Sequence, residues 1–217
     1  HPYLKKVQQL NLFKGIHTFE ELERRILEHS GLEKDQGDAF EVFAEAFLKL
    51  GFNAPYKSVL PENAITADHF KTLRLKPSSR NVKGIDGVLE THSGELHTYQ
   101  VKFRSREDKL SWSDCVGSVA ASTEADSLLV FTNIEEIDGD IKKRNVYSVR
   151  HDFLSSLTSN DFQKIENLIC ASAIEPKKVI ELEPYQENAV QSVLDSLKTE
   201  QRTQVIMHCG RGKTTVG

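Results

Sequence analysis

The stretch that most constrains this 217-residue chain is a pair of alternating segments, Ile85 to Glu90 and Leu96 to Phe103, joined through His92-Ser93-Gly94. Alternation of apolar and polar residues specifies strand, and a short glycine-containing connection specifies an antiparallel return. A turn centred on Ser93 sets Glu90 opposite Leu96, Val88 opposite Thr98 and Asp86 opposite Gln100. Side chains alternate between the faces of a strand, so Asp86, Gln100 and Lys102 are expected on one face. Ile85, Leu89, Tyr99, Val101 and Phe103 fall on the other, which is apolar enough to lie on a core. The first face then gathers an acid, an amide and a lysine with no packing purpose of its own.

The flanking segments predict helices and further strands. Thr18 and Glu21 form a capping-box pattern, followed by Phe19, Leu22, Ile26 and Leu27 at helical spacing up to Gly31. A second helix is predicted from Gly37-Asp38 to Gly51, with Phe40, Phe43 and Phe47 in one stripe and Glu41 inside it. Residues 61–83 contain Pro61, Pro77, Ser78 and Ser79 with weak periodicity, and read as an insertion with one short helix at most. After the hairpin, Trp112, Val116 and Val119 suggest a helix, Leu128 to Thr132 and Val146 to Val149 two buried strands, and Phe153 to Ile169 a helical stretch. That order predicts an α/β fold, a mixed central sheet with helices on its faces.

With 38% of residues hydrophobic and only short apolar runs, the chain carries no stretch near the roughly 18 apolar residues of a membrane span. No membrane association is expected. His1-Pro2-Tyr3 lacks the charged start and apolar run of a signal peptide, so a cut end is expected there. Cys115, Cys170 and Cys209 have no ligand spacing, and read as free thiols of a reducing, cytoplasmic compartment. A net charge of -4 disfavours indiscriminate coating of nucleic acid. Local basic groups still stand out, first Lys71, Arg74, Lys76, Arg80 and Lys83, then Lys102, Arg104 and Arg106. They form either a phosphate-tracking surface or solvated loop charges.

Phosphodiester hydrolysis calls for a divalent cation that polarises the phosphate and acidifies a water, with a positive group to offset developing charge. Asp86, Gln100 and the Val101 carbonyl supply oxygen ligands suited to Mg²⁺, Glu41 could complete the shell from its helix, and Lys102 supplies the cation. The competing reading makes Asp86 and Lys102 a surface ion pair across the hairpin. Glu41, with Glu45 and Lys49, could equally belong to a solvated helix face. His92 and His97 flank the turn and are expected to be exposed, and His208 and Cys209 to pack in a loop.

Gly84-Ile85-Asp86-Gly87 followed by Tyr99-Gln100-Val101-Lys102 resembles the PD-(D/E)XK nuclease signature in its Mrr-like form, where glutamine replaces the second acid. Phe40-Glu41 with Gly51-Phe52 resembles that family's first core helix and its glutamate. The resemblance spans about Gly37 to Val149. It implies a restriction-endonuclease-like αβββαβ core, dependence on a divalent metal, Mg²⁺ or Mn²⁺, and DNA as substrate; of the basic groups, Lys83, Arg104 and Arg106 are the expected DNA contacts. Ile85 stands where the family has proline, and Gln100 is a weaker ligand than a carboxylate.

Cys209-Gly210-Arg211-Gly212-Lys213-Thr214-Thr215 has the form of a phosphate-binding loop, with Met207 in place of its first glycine. With Pro184-Tyr185-Gln186 upstream it resembles the start of a superfamily 2 helicase motor. The resemblance implies nucleotide contacts from Gln186, Gly210, Gly212, Lys213 and Thr214. The expected organisation is a nuclease domain at 1–174, a linker at 175–182 and the start of a helicase-like ATPase domain at 183–217. No second acidic motif or closing domain follows, so ATP is expected to matter only in a longer protein that carries the remaining helicase domains. The alternative from another class is a non-catalytic DNA-tethering or subunit-contact module. A homodimer that resolves Holliday junctions is a third reading.

Overall fold

The computed structural model describes residues 3–29, 32–75, 84–104, 109–142, 145–170, 184–196 and 198. Two compact units divide the chain, His1–Ile174 and Glu175–Gly217. In the first, α1 (Leu4–Gln9), α2 (Phe19–His29) and α3 (Glu33–Lys49) precede β1 (Ser58–Pro61), a 3-10 turn (Glu62–Ala64) and α4 (Ala67–Thr72). Then come β2 (Gly87–Glu90), β3 (Leu96–Lys102), α5 (Trp112–Ala121), β4 (Ser127–Thr132), α6 (Gly139–Lys142), β5 (Val146–Val149), α7 (His151–Ser155) and α8 (Ser159–Ile169). In the second unit α9 covers Pro184–Ser196.

The five strands form one mixed sheet in the order β1-β2-β3-β4-β5. The first three are antiparallel; β3, β4 and β5 run parallel. The segment from α3 to β4 thus reads αβββαβ, with α4 inserted after β1. The first strand of that series, β1, is not among the segments that alternation marks, because its four residues are all half-buried. It begins before the 61–83 insertion, whose described part holds the single short helix α4.

One face of the sheet is covered by α1, α2, α3 and α8. Phe40, Phe43 and Phe47, spaced to line one side of α3, are fully buried and meet Phe131 of β4 with ring centroids 5.4, 6.0 and 5.1 Å away. Leu89, Tyr99, Val101 and Phe103 join this core from the hairpin. Helix α3 starts four residues earlier than Gly37, at Glu33, because tertiary burial of its apolar stripe outweighs the helix-weakening glycine.

The opposite face is covered as well. Leu128 and Val130 pack with Leu110 and Cys115 under α5, while Val88 packs with Ile65, Leu73 and Leu75 from the insertion. Of the expected Trp112, Val116 and Val119 stripe, Trp112 and Val119 pack half-buried against this core but Val116 does not. Val116 is exposed, and Cys115 and Ser118 face inward. Small residues win because the loop before β2 runs against the α5 backbone: a Cβ on Gly84, at φ +96°, would stand 2.6 Å from the Gly117 carbonyl carbon. Among the described residues, no helix is long and apolar enough to cross a membrane.

Candidate active site at the split between β2 and β3

The hairpin ladder pairs Glu90 with Leu96, Val88 with Thr98 and Gly87 with Tyr99, the register set by a turn centred on Ser93. At Asp86 the register slips. The Asp86 N–H donates to the Tyr99 carbonyl at 2.8 Å, although Gly87 is the partner of Tyr99, and the Asp86 carbonyl accepts from the Glu62 nitrogen of the β1 side at 2.9 Å. In a regular strand the N–H and C=O of one residue point to the same neighbour; here they point to opposite neighbours. Two residues of the incoming strand therefore face one residue of β3, which is the arrangement of a β-bulge.

The bulge re-aims two side chains. Ile85 turns to the Val88 side and packs with Ile65, Leu73 and Leu75, whereas continued alternation put it with Leu89 and Tyr99. Asp86 does not project from a face either. Its Oδ2 accepts from the Val101 N–H at 2.6 Å, in the gap where a main-chain carbonyl would continue the ladder, and from Gln100 Nε2 at 2.7 Å. Gly87 permits this crossing because a Cβ there would overlap the Tyr99 ring and the Leu60 carbonyl.

In that gap the half-buried Asp86 meets groups from both sides of the sheet. Burial first, then the charge of Glu41 on α3, pushes its carboxyl up from 3.8 to about 7, against the lowering effect of the Val101 N–H, Lys102 and Gln100. Glu41 is half-buried and is itself pushed up by burial, with Lys102 and Lys34 opposing. The Lys102 ammonium thus acts on both carboxylates and also on the Cys115 thiol of α5, which burial raises to about 11. Gln100 is buried on the α5 side, next to Thr98, whose hydroxyl lies 2.5 Å from that of Ser122. Asp86 makes its hydrogen bonds to Gln100 and Val101, so the reading of Asp86 and Lys102 as a surface ion pair does not describe it. Glu45 of α3 makes the i,i+4 pair with the exposed Lys49 at 2.5 Å that the alternative calls for, but is itself buried rather than solvated.

Two acids that repel each other in a partly desolvated gap, beside an amide and a main-chain carbonyl, make a donor set that a hard cation would relieve. Among the described residues no three His, Cys, Asp or Glu side chains converge, so the amide and the carbonyl would have to share the coordination.

Beyond β3 the chain is held by Asn133, a residue that no sequence pattern marks. Asn133, just after β4, accepts from the Arg104 N–H at 2.9 Å and donates to the Arg104 carbonyl at 2.6 Å and to Glu23 Oε1 at 2.9 Å. The Arg104 guanidinium bonds Asp114 of α5 at 3.2 Å and the Phe103 carbonyl at 2.9 Å. Lys83 and Arg106 lie outside the described residues, as do Gly210, Gly212, Lys213 and Thr214 and the whole of the predicted 175–182 linker. Gln186 lies in the first turn of α9, and its side chain is outside them too. His92 is exposed, but His97 is not: its Nδ1 lies 2.9 Å from the Tyr147 hydroxyl, which also reaches Tyr56.

No protein-family model and no curated protein matches the sequence. Among solved structures the chain is similar to the ATP-dependent Type ISP restriction-modification enzyme LlaBIII bound to DNA, with 21% identity and a TM-score of 0.43 over 89% of this chain and 12% of that one. It is also similar to the DNA modification-dependent restriction endonuclease AspBHI, with 11% identity and a TM-score of 0.38 over 81% of this chain and 37% of that one. The MspJI restriction endonuclease in complex with a 27-mer oligonucleotide follows, at 13% identity and 0.32 over 76% and 41%. The chain spans less than half the length of each of these proteins.

Proposed function

We propose that this chain is a metal-dependent endodeoxyribonuclease domain with a restriction-endonuclease-like, Mrr-like core, and that it belongs to a longer helicase-nuclease of a restriction or phage-defence system. The observation that carries the reading is the Asp86 carboxylate in the β2–β3 gap, bonded to Val101 and Gln100, with Glu41 and Lys102 in its field. Asp86, Gln100, the Val101 carbonyl and Glu41 would hold Mg²⁺ or Mn²⁺. Such an ion would polarise a DNA phosphate and lower the pKa of a water.

The chain's own residues would do the rest. Lys102 holds positive charge beside the attacked phosphate and offsets charge that develops on its oxygens. Gln100 fixes the Asp86 carboxylate in one orientation. Arg104, with Lys83 and Arg106, binds flanking phosphates of the DNA partner. Gln186, Gly210, Gly212, Lys213 and Thr214 would bind ATP only once the remaining helicase domains are joined to them. The protein would work in the cytoplasm.

The test is cleavage of plasmid and branched DNA by the purified chain with Mg²⁺ or Mn²⁺, beside Asp86→Ala. Cutting by the parent and none by the variant is expected. A parent that shifts DNA in a gel but leaves it intact at high concentration would make the fold a tethering module. Paired symmetric nicks by a dimer on a four-way junction would make it a junction resolvase.

A further inference from the structure

Arg104 is unusual among the exposed arginines of the described residues in being fixed along its whole length. Its N–H and its carbonyl both bond the side chain of Asn133, which is 2% exposed, and Asn133 is itself braced by the buried Glu23 of α2. Its guanidinium bonds the Phe103 carbonyl through one terminal nitrogen and Asp114 through the other. Asp114 is held in turn, because it accepts from the Ser111 N–H and hydroxyl in the capping box of α5. A guanidinium has about five N–H donors, and these two contacts use two of them. The rest remain on a head that is 42% exposed, two residues beyond Lys102.

A side-chain amide that bonds both main-chain groups of one residue acts as a neighbouring strand does. Asn133 therefore extends the β3–β4 ladder past its last pair, Lys102 with Thr132, and sets the direction in which the chain leaves β3. A phosphate-binding arginine gains from such preorganisation, since less side-chain freedom is lost when the phosphate arrives.

The geometry points to Asn133 as a positioning residue for DNA binding: it holds the Arg104 main chain so that the guanidinium, oriented by Asp114, meets a backbone phosphate beside the Asp86 and Lys102 site. The inference rests on the DNA-cutting reading above. Binding of a short fluorescent duplex is measured across a potassium chloride titration, with Ca²⁺ in place of Mg²⁺, for the parent, Arg104→Ala, Asn133→Ala and the double variant. Arg104→Ala is expected to lower the slope of log Kd against log salt by about one. Asn133→Ala is expected to match it, and the double variant to lose no more than either single. If Asn133→Ala loses its cooperative melt, Asn133→Ser gives the same readout, with room for water beside Glu23. An Asn133 variant that keeps the parent slope, or a double variant whose losses add, overturns the positioning role while the DNA-cutting reading stands. A parent that neither binds nor cuts DNA overturns both.

Discussion

The Asp86 carboxylate stands 2.6 Å from the Val101 nitrogen, in the place where a main-chain carbonyl of β2 would otherwise continue the ladder. The same slip that puts it there turns Ile85 to the other side of the sheet. A side chain that substitutes for backbone is both structural and chemical, and its two roles separate by substitution.

Removing the carboxylate has a stability cost that a surface acid would not have. Asp86→Ala leaves the Val101 N–H and the Gln100 amide without their acceptor, and unfolding should become easier by about 1–3 kcal/mol. Asp86→Asn keeps an oxygen for Val101 and should fold like the parent, yet neither variant should cut DNA. Urea unfolding beside a cleavage assay checks both, and an Ala variant as stable as the Asn variant would place the carboxylate outside the ladder.

The acidity of Asp86 gives a stability trend with a definite sign. Its carboxyl lies at about 7 in the folded protein against 3.8 for the free group, because of burial and then Glu41. The folded state therefore keeps a proton that the unfolded chain has lost between about pH 4 and 7. Metal-free stability from this group is highest below that window and falls as pH rises through it. The melting temperature of the parent should fall relative to Asp86→Asn between about pH 4 and 7. Mg²⁺ should restore the parent and leave the Asn variant unchanged, and a pH-independent difference would contradict the buried placement.

The hairpin register was legible in the sequence because the Ser93 turn and the alternation act within a few residues of each other. The bulge was not, since it depends on the Tyr99 ring crossing Gly87 and on Glu62 taking the Asp86 carbonyl. The Phe40, Phe43 and Phe47 stripe announced α3, but the inward side of α5 went unseen because a close approach at Gly84 selects small residues there over Val116. Asn133 carried no signal, because its contact with Arg104 joins residues 29 apart in sequence and forms only on folding, whereas Asp114 was legible only as the capping partner of Ser111.

Gly87 is held to glycine by the same crossing. Gly87→Ala would force the Tyr99 ring and the β1 backbone apart, with an expected loss of about 1–3 kcal/mol from overpacking. Thermal unfolding measures it, and a neutral substitution would mean that the ring is free to move.

Gln100→Glu tests the donor set. Gln100 donates to Asp86 at 2.7 Å from a buried position, so a glutamate there would bring a second carboxylate against the first. Without metal, at alkaline pH, the variant should melt below the parent. With Mg²⁺ it should gain more than the parent, because the added charge is an inner ligand. Calorimetry that finds weaker Mg²⁺ binding than the parent would remove Gln100 from the coordination shell.

The division of labour between the two units gives the last expectation. Lys102 acts on both Asp86 and Glu41, so the groups proposed for hydrolysis all belong to the first unit. Lys213 belongs to the second unit, in the segment proposed to bind nucleotide, and lies outside the described residues. Cleavage by this chain should therefore proceed without ATP. Lys102→Ala should be inactive on DNA, because the charge that offsets the developing phosphate negative charge is gone, while its fold survives the loss of a half-buried side chain. Lys213→Ala should cut like the parent. Parallel cleavage reactions with and without ATP decide the matter, and an ATP requirement or a dead Lys213→Ala would make the two units one site.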